Sequence, residues 1–219
     1  MRVMLDNELK SIHVDIIKMG TLIEKTIDET INALVDHDIE MARRIIEGDD
    51  RFDKMELEIE SKCINVIARR QPVATDLRKL MSILKIVTDL ERIADHCQDI
   101  SKLTIDLAGK TYVKPLIDLP NMAKQVKSMV KMTIDCYIDE DVEKGKLICA
   151  NDDIVDDYYD MIFADLENIM KENPKEIRQC MDFMMIAKYF ERMADHATNI
   201  AEWVIYGVEG KHFDINETI

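Results

Sequence analysis

The stretch ERIADHCQDI (91–100) returns as ERMADHATNI (191–200), an offset of 100. Working back from it, Asp76-Leu-Arg-Lys-Leu-Met81 returns as Glu176-Ile-Arg-Gln-Cys-Met181 at the same offset. Further back the offset becomes 103. Asp49, Asp50 and Asp53 return as Asp152, Asp153 and Asp156, and Met19, Ile23, Ile27 and Ile31 return as Met122, Val126, Val130 and Ile134. A unit of about one hundred residues is too long for a solenoid repeat and has the size of a domain, so the chain reads as a tandem duplication.

Each unit carries three long helical patterns. In the first, Leu5, Leu9, Ile12, Ile16, Met19, Ile23, Ile27, Ile31 and Leu34 recur at spacings of three and four, which a strand would not show. That predicts a helix over 5–35. A second pattern runs over 38–70, with Gly48, Asp49 and Asp50 marking a kink or bent turn, and Pro72 ends it. The third covers 75–108, and its counterpart in the second unit covers 174–206. The expected fold is all-α: two tandem three-helix bundles of antiparallel long helices. Residues 1–108 form repeat one, 109–121 a linker, 122–210 repeat two with a helix start reaching back towards 116, and 211–219 a C-terminal tail.

Composition agrees with this. Glycine and proline together number 10 of 219 residues, too few for a sandwich or barrel of many short strands. Hydrophobic residues make up 47% and aromatic ones 5%, so the core must be mostly aliphatic. The net charge of −15 disfavours nucleic acid or anionic lipid as the main target and suits cation binding. Five scattered cysteines without a CxxC pair point to a reducing, intracellular setting. The N-terminus has no signal-peptide apolar core, and no stretch of about 18 apolar residues suggests a membrane span. P-loop, GxGxxG and GxSxG motifs are all absent, and no cysteine stands out as a nucleophile, so no catalytic residues are assigned. Met181, Met184, Met185 and Met193 are expected to fill the core.

Chemistry is expected from carboxylates at i, i+4: Asp49/Asp53 with Glu91/Asp95, and Asp152/Asp156 with Glu191/Asp195. One such pair means little on a charged helix. In an antiparallel hairpin, however, residues equidistant from the turn lie side by side. The midpoints of Asp53/Glu91 and Asp49/Asp95 are both 72, at Pro72, and those of Asp156/Glu191 and Asp152/Asp195 are both 173.5, beside Pro174. Four carboxylates thus meet at one level in each unit, on a flank that is apolar upstream. Like charges held together near a core need a cation, raised pKa values or basic neighbours. Oxygen-only ligands favour Mg, Mn, Ca or Fe before Zn. Two readings follow: metal binding, of which a carboxylate-bridged storage or oxidase bundle is one form, and a metal-free helical scaffold whose acidic face is salt-bridged or exposed. The Glu-x-x-His motif of di-iron bundles is missing, because His96 and His196 stand five residues after Glu91 and Glu191. Both histidines are expected off the acidic flank, on a polar face or behind the metal ligands, and Arg92 and Arg192 are expected to leave that flank as well.

RQPVATDLRKL (70–80), IVTDLERIADH (86–96) and ERMADHATNIAEWVIYGVEGK (191–211) resemble the PhoU family of phosphate-uptake and phosphate-signalling accessory proteins. IKMGTLIEKTIDETINAL from Ile17 and IIEGDDRFDKMELEIE (45–60) resemble its first two helices, so the likeness covers both repeats. The resemblance implies two three-helix bundles related by pseudo-twofold symmetry. It implies multinuclear metal clusters on paired E(D)xxxD motifs, here Asp49, Asp53, Glu91 and Asp95 and then Asp152, Asp156, Glu191 and Asp195, with iron favoured and Mn, Mg, Ca or Zn as alternatives. It further implies a non-enzymatic negative regulator of phosphate transport and the phosphate-starvation response. Such a protein contacts the ATPase component of the phosphate ABC transporter and, in many bacteria, a sensor histidine kinase. It is cytoplasmic or held at the membrane only through partners, and often a homodimer. Ala94 and Ala194 stand where the family often has glycine, a mild departure. Asp99 faces Asn199 in the repeat alignment and is either an added ligand or a solvent-facing group. Glu24 and Asp28 in helix one correspond to Lys127 and Lys131, which predicts that the first cluster binds metal more readily.

Overall fold

The computed structural model describes residues 2–211, and among these all regular structure is helical. Apart from Lys211, the tail expected at 211–219 lies outside the described residues. Eight α-helices follow in order: α1 Arg2–Asp36, α2 Ile39–Glu47, α3 Asp50–Arg70, α4 Ala74–Leu107, α5 Asp118–Asp139, α6 Val142–Ala150, α7 Asp152–Glu172 and α8 Ile177–Glu209. A single 3-10 turn at Pro174–Glu176 precedes α8.

The second helical pattern of each unit is thus two helices. The bend lies at Gly48–Asp49 in one repeat and at Asn151 in the other. The start of the short helix is fixed the same way in both. Asp38 accepts a hydrogen bond from the Met41 amide at 2.9 Å, and Asp141 accepts one from Lys144 at 3.0 Å. Each cap satisfies an amide that no helical carbonyl can reach. Asp38→Ala is expected to lower stability by about 1 kcal/mol, read as a shift of the urea midpoint at unchanged slope; no shift would mean that water replaces the cap without cost.

Of the segment expected as linker, 109–117 is irregular and α5 begins at Asp118. That stretch is anchored rather than loose: Tyr112 donates to the Leu34 carbonyl at 2.6 Å, and Gln179 bonds both Val113 N and the Thr111 carbonyl.

The predicted apolar rows are the core. Ile12, Ile16, Met19, Ile23 and Ile27 of α1 are buried, and so are Met122, Val126 and Val130 of α5. Met193 is buried too, but Met181 is 53% and Met185 45% exposed, so these two are not the core filler that composition suggested. They lie on the solvent side of α8, whose inner side is taken by Phe183, Ile186 and Phe190. Gly20 lets α1 and α5 approach closely: a Cβ there would lie 2.5 Å from Ile134 Cδ1. All five cysteines are free and buried.

The repeats join along α4 and α8, which run antiparallel. Arg78 bonds the carbonyls of Gly207 and Val208, Asp89 meets His196, and His96 stacks on Tyr189. Pairing 89 with 196 and 96 with 189 is symmetric about the gap between residues 92 and 93 and that between 192 and 193. The pseudo-twofold therefore passes at the level of the acidic motifs. On the opposite layer α1 and α5 pair, with Lys127 Nζ 2.5 Å from Asp28.

Candidate metal centre

The hairpin geometry behind the carboxylate clusters is present in both repeats. Thr88 donates to Glu56 at 2.9 Å, a pair centred on residue 72. In the second repeat Lys188 Nζ lies 5.4 Å from the Tyr159 ring, a pair centred on 173.5. One turn further from each hairpin tip lie the acidic motifs.

In the first repeat Asp49, Asp53 and Asp95 each place one carboxylate oxygen within 4.8 Å of the others. Asp49 is 8% exposed, pinned at the α2–α3 bend, and accepts from Gln98 Nε2 at 2.6 Å. Burial, reinforced by the charges of Asp95 and Asp53, pushes the Asp49 carboxyl up to about 6. Glu91 stands beside the trio rather than inside it, and burial with the charge of Asp95 pushes it up to about 7. Burial raises Asp95 as well, with Arg92 acting against it. Arg92 does not leave the flank: its guanidinium reaches back to Asp95 at 3.1 Å and to Glu91 at 3.5 Å. Asp99 is ion-paired to Lys102 at 3.0 Å.

In the second repeat no three carboxylates come as close among the described residues. The four still act on one another. Asp152 is pushed up to about 7 by burial and then by Asp156, Asp195 and Glu191. Burial followed by Glu191 raises both Asp156 and Asp195. Lys188 Nζ holds one Glu191 oxygen at 2.5 Å, while Glu191 Oε2 is buried without a partner.

Both groups fit a hard cation. Acceptor-only oxygens converge, their charged forms are disfavoured as they stand, and one buried oxygen is unanswered. The first group is gathered and the second is partly held open by a lysine. Neither Arg92 nor Lys188 was assigned to a cluster by sequence reading. The signal was available, since both lie within one turn of Glu91 or Glu191, but a long basic side chain can point either way along a helix.

Two expectations need correcting. Glu24 and Asp28 do not add charge to the first cluster. Asp28 pairs with Lys127, and the cations acting on Glu24 are Lys131 and Lys127, so these acidic and basic positions answer one another between α1 and α5. Burial is the largest influence on Glu24 and raises its carboxyl. His96 is not on a polar face: it is buried in the α4–α8 seam, 5.6 Å from the His196 ring.

The raised carboxyls imply a pH dependence. Native Asp49 and Asp152 hold their protons more tightly than unfolded aspartate does, from 3.8 up to about 6 and about 7. Their stabilising contribution is complete below pH 3.8 and is lost as pH rises through 6–7. Metal-free protein is therefore expected to lose melting temperature between about pH 4 and pH 7, with the slope flattened in Asp49→Asn/Asp152→Asn. Equal slopes in the two proteins would show that the clusters are already compensated.

Against known proteins, the PhoU domain model matches residues 16–104 and again 119–204. A phosphate-specific transport system accessory protein PhoU homolog from Clostridium acetobutylicum is 40% identical over 217 residues, 99% of each chain. One from Aquifex aeolicus is 38% identical over 96% of each. The crystal structure of PhoU from Pseudomonas aeruginosa superposes with a TM-score of 0.90 at 34% identity, covering 94% of this chain and 99% of that one. That of the phosphate transport system regulatory protein PhoU from Streptococcus pneumoniae gives 0.90 at 28% identity, covering 96% and 100%. With the family model matched on both repeats, the same two-bundle architecture and relatives aligned end to end, the chain belongs to the PhoU family.

Proposed function

We propose that this protein is a metal-binding, non-enzymatic negative regulator of phosphate transport and phosphate-starvation signalling. It docks to the ATPase component of a phosphate ABC transporter and, where one exists, to a sensor histidine kinase. The regulatory role in phosphate transport is supported by the names of relatives aligned over nearly the whole chain. The observation that carries the metal reading is the Asp49, Asp53 and Asp95 trio, with oxygens within 4.8 Å and one aspartate buried.

Asp49, Asp53 and Asp95 would hold the ion in the first repeat, with Glu91 beside them. Asp152, Asp156, Glu191 and Asp195 would do so in the second. The donor set is oxygen only, which suits Fe, Mn, Mg or Ca before Zn. A bound cation supplies positive charge where the native carboxylates repel. The chain's own contribution is rigidity: Asp49 sits at a bend, Asp95 on a continuous helix and Asp53 between them, so loading ties α3 to α4 near the face where the repeats meet. No helix among the described residues is long and apolar enough to cross a membrane, which fits attachment through partners. Within this reading the protein is cytoplasmic and forms a homodimer.

Affinity capture of the tagged full chain from phosphate-replete cells, followed by mass spectrometry, tests the role. Recovery of the transporter ATPase, lost on chelation and restored by Mn2+ or Fe2+, is the expected result. Recovery of no phosphate-transport component would sink it. The storage or oxidase alternative requires O2 consumption by the Fe2+-loaded protein.

A further inference from the structure

Outside the carboxylate clusters, one polar constellation lies in the seam between the repeats. His96 is 8% exposed, and neither of its ring nitrogens has a hydrogen-bond partner. Burying a polar atom without a partner forfeits its hydrogen bonds to water, so an imidazole with two such nitrogens calls for a ligand. Its ring centroid lies 5.6 Å from that of His196, across from α4 to α8. His196 is held differently, with Nδ1 2.8 Å from Asp89 Oδ1. With the carboxylate accepting from Nδ1–H, Nε2 is the nitrogen that the neutral ring can offer to a metal. A carboxylate behind an imidazole is how metal-binding histidines are oriented.

The spacing agrees. With metal–nitrogen bonds of about 2.0–2.1 Å, about 1.1 Å from nitrogen to ring centre and a roughly tetrahedral to trigonal angle of about 110–125° at the metal, two imidazoles on one ion have centroids roughly 5.1–5.7 Å apart. Asp99, three residues after His96 on α4, is near enough for its charge to act on that imidazole.

We propose that His96 and His196 form a second kind of metal site, a two-imidazole site in the α4–α8 seam. It takes a borderline transition ion of the Zn2+, Co2+, Ni2+ or Cu2+ class. Asp89 fixes the His196 tautomer, and Asp99 offers a carboxylate to a remaining position. This site does not depend on the carboxylate clusters. Nitrogen donors select ions that Mg2+ does not displace, whereas Mg2+ competes for all-oxygen sites. An ion there would bridge the two repeats directly, with one ligand from each.

The test uses the metal-stripped full chain with Mg2+ in large excess, titrated with Cu2+ and followed by electron paramagnetic resonance. One equivalent with splitting from two directly bonded nitrogens is expected. His96→Gln and His196→Gln should each lose one nitrogen from the pattern and weaken binding more than about 10-fold. Asp89→Asn should weaken it about 10–100-fold while keeping two nitrogens. His196 is partly exposed, so its variant carries the result alone if His96→Gln does not fold. A spectrum without nitrogen splitting, or a nitrogen signal that follows His13→Gln or His37→Gln instead, overturns the site. Loss of the signal in Asp49→Asn/Asp95→Asn with both histidines intact also overturns it, because the ion would then lie in the carboxylate cluster.

Discussion

Replacing Asp49 by alanine is expected to weaken divalent-cation binding at the first cluster more than about 100-fold, since even groups that only orient a ligand cost 10–100-fold when removed. Asp49 shows a combination of three properties found in no other member of either cluster. It is 8% exposed, it lies within 4.8 Å of two other carboxylates, and its side chain is held by Gln98. Glu91→Ala should cost less, because Glu91 lies outside the trio. Between repeats, the first cluster should bind more tightly than the second, where an ion must displace the Lys188 ammonium from Glu191. Arg92 is a weaker competitor in the first, being 55% exposed and 3.1 Å from Asp95. Calorimetric titration with Mn2+ of wild type, Glu91→Ala and Glu191→Ala separates the two clusters. Equal affinities with equal losses would remove the asymmetry.

Phe190→Ala is expected to cost about 3–5 kcal/mol, the usual range for a fully buried phenylalanine. Its side chain is 0% exposed on α8, the helix that packs against α4, α5, α6 and α7. Few rearrangements can fill the void, because helices crowd α8 on its inner side. For a chain of this length each kcal/mol shifts the melting temperature by about 2–4 °C, so a fall of roughly 6–20 °C is expected. Met181→Ala, on the exposed side of the same helix, should stay within about 0.5 kcal/mol. If the two variants melted together, the α8 core would not be the principal packing surface.

The level at which the carboxylates of each repeat lie is legible in the sequence. Helical spacing fixed which flank carried Glu91 and Asp95, and the turn residues fixed which partners lay level with them. The Thr88–Glu56 bond, centred on Pro72, is that arithmetic realised. Both operations use local information: a helix repeats every 3.6 residues, and a short turn leaves its two helices in a determined register. The same reasoning misplaced Glu24 and Asp28. It read them against their own repeat, whereas their partner Lys127 belongs to the other.

From the sequence alone followed the duplication, the helical class, the hairpins and the eight carboxylates, because each depends on neighbours along the chain or across one tight turn. Only the tertiary structure decided how the two repeats meet. Periodicity does not encode the register of α4 on α8 or of α1 on α5, which is set by packing between residues about a hundred positions apart. That packing buried His96 against His196, spent the helix-one charges on each other, and left one carboxylate group gathered while a lysine holds the other open.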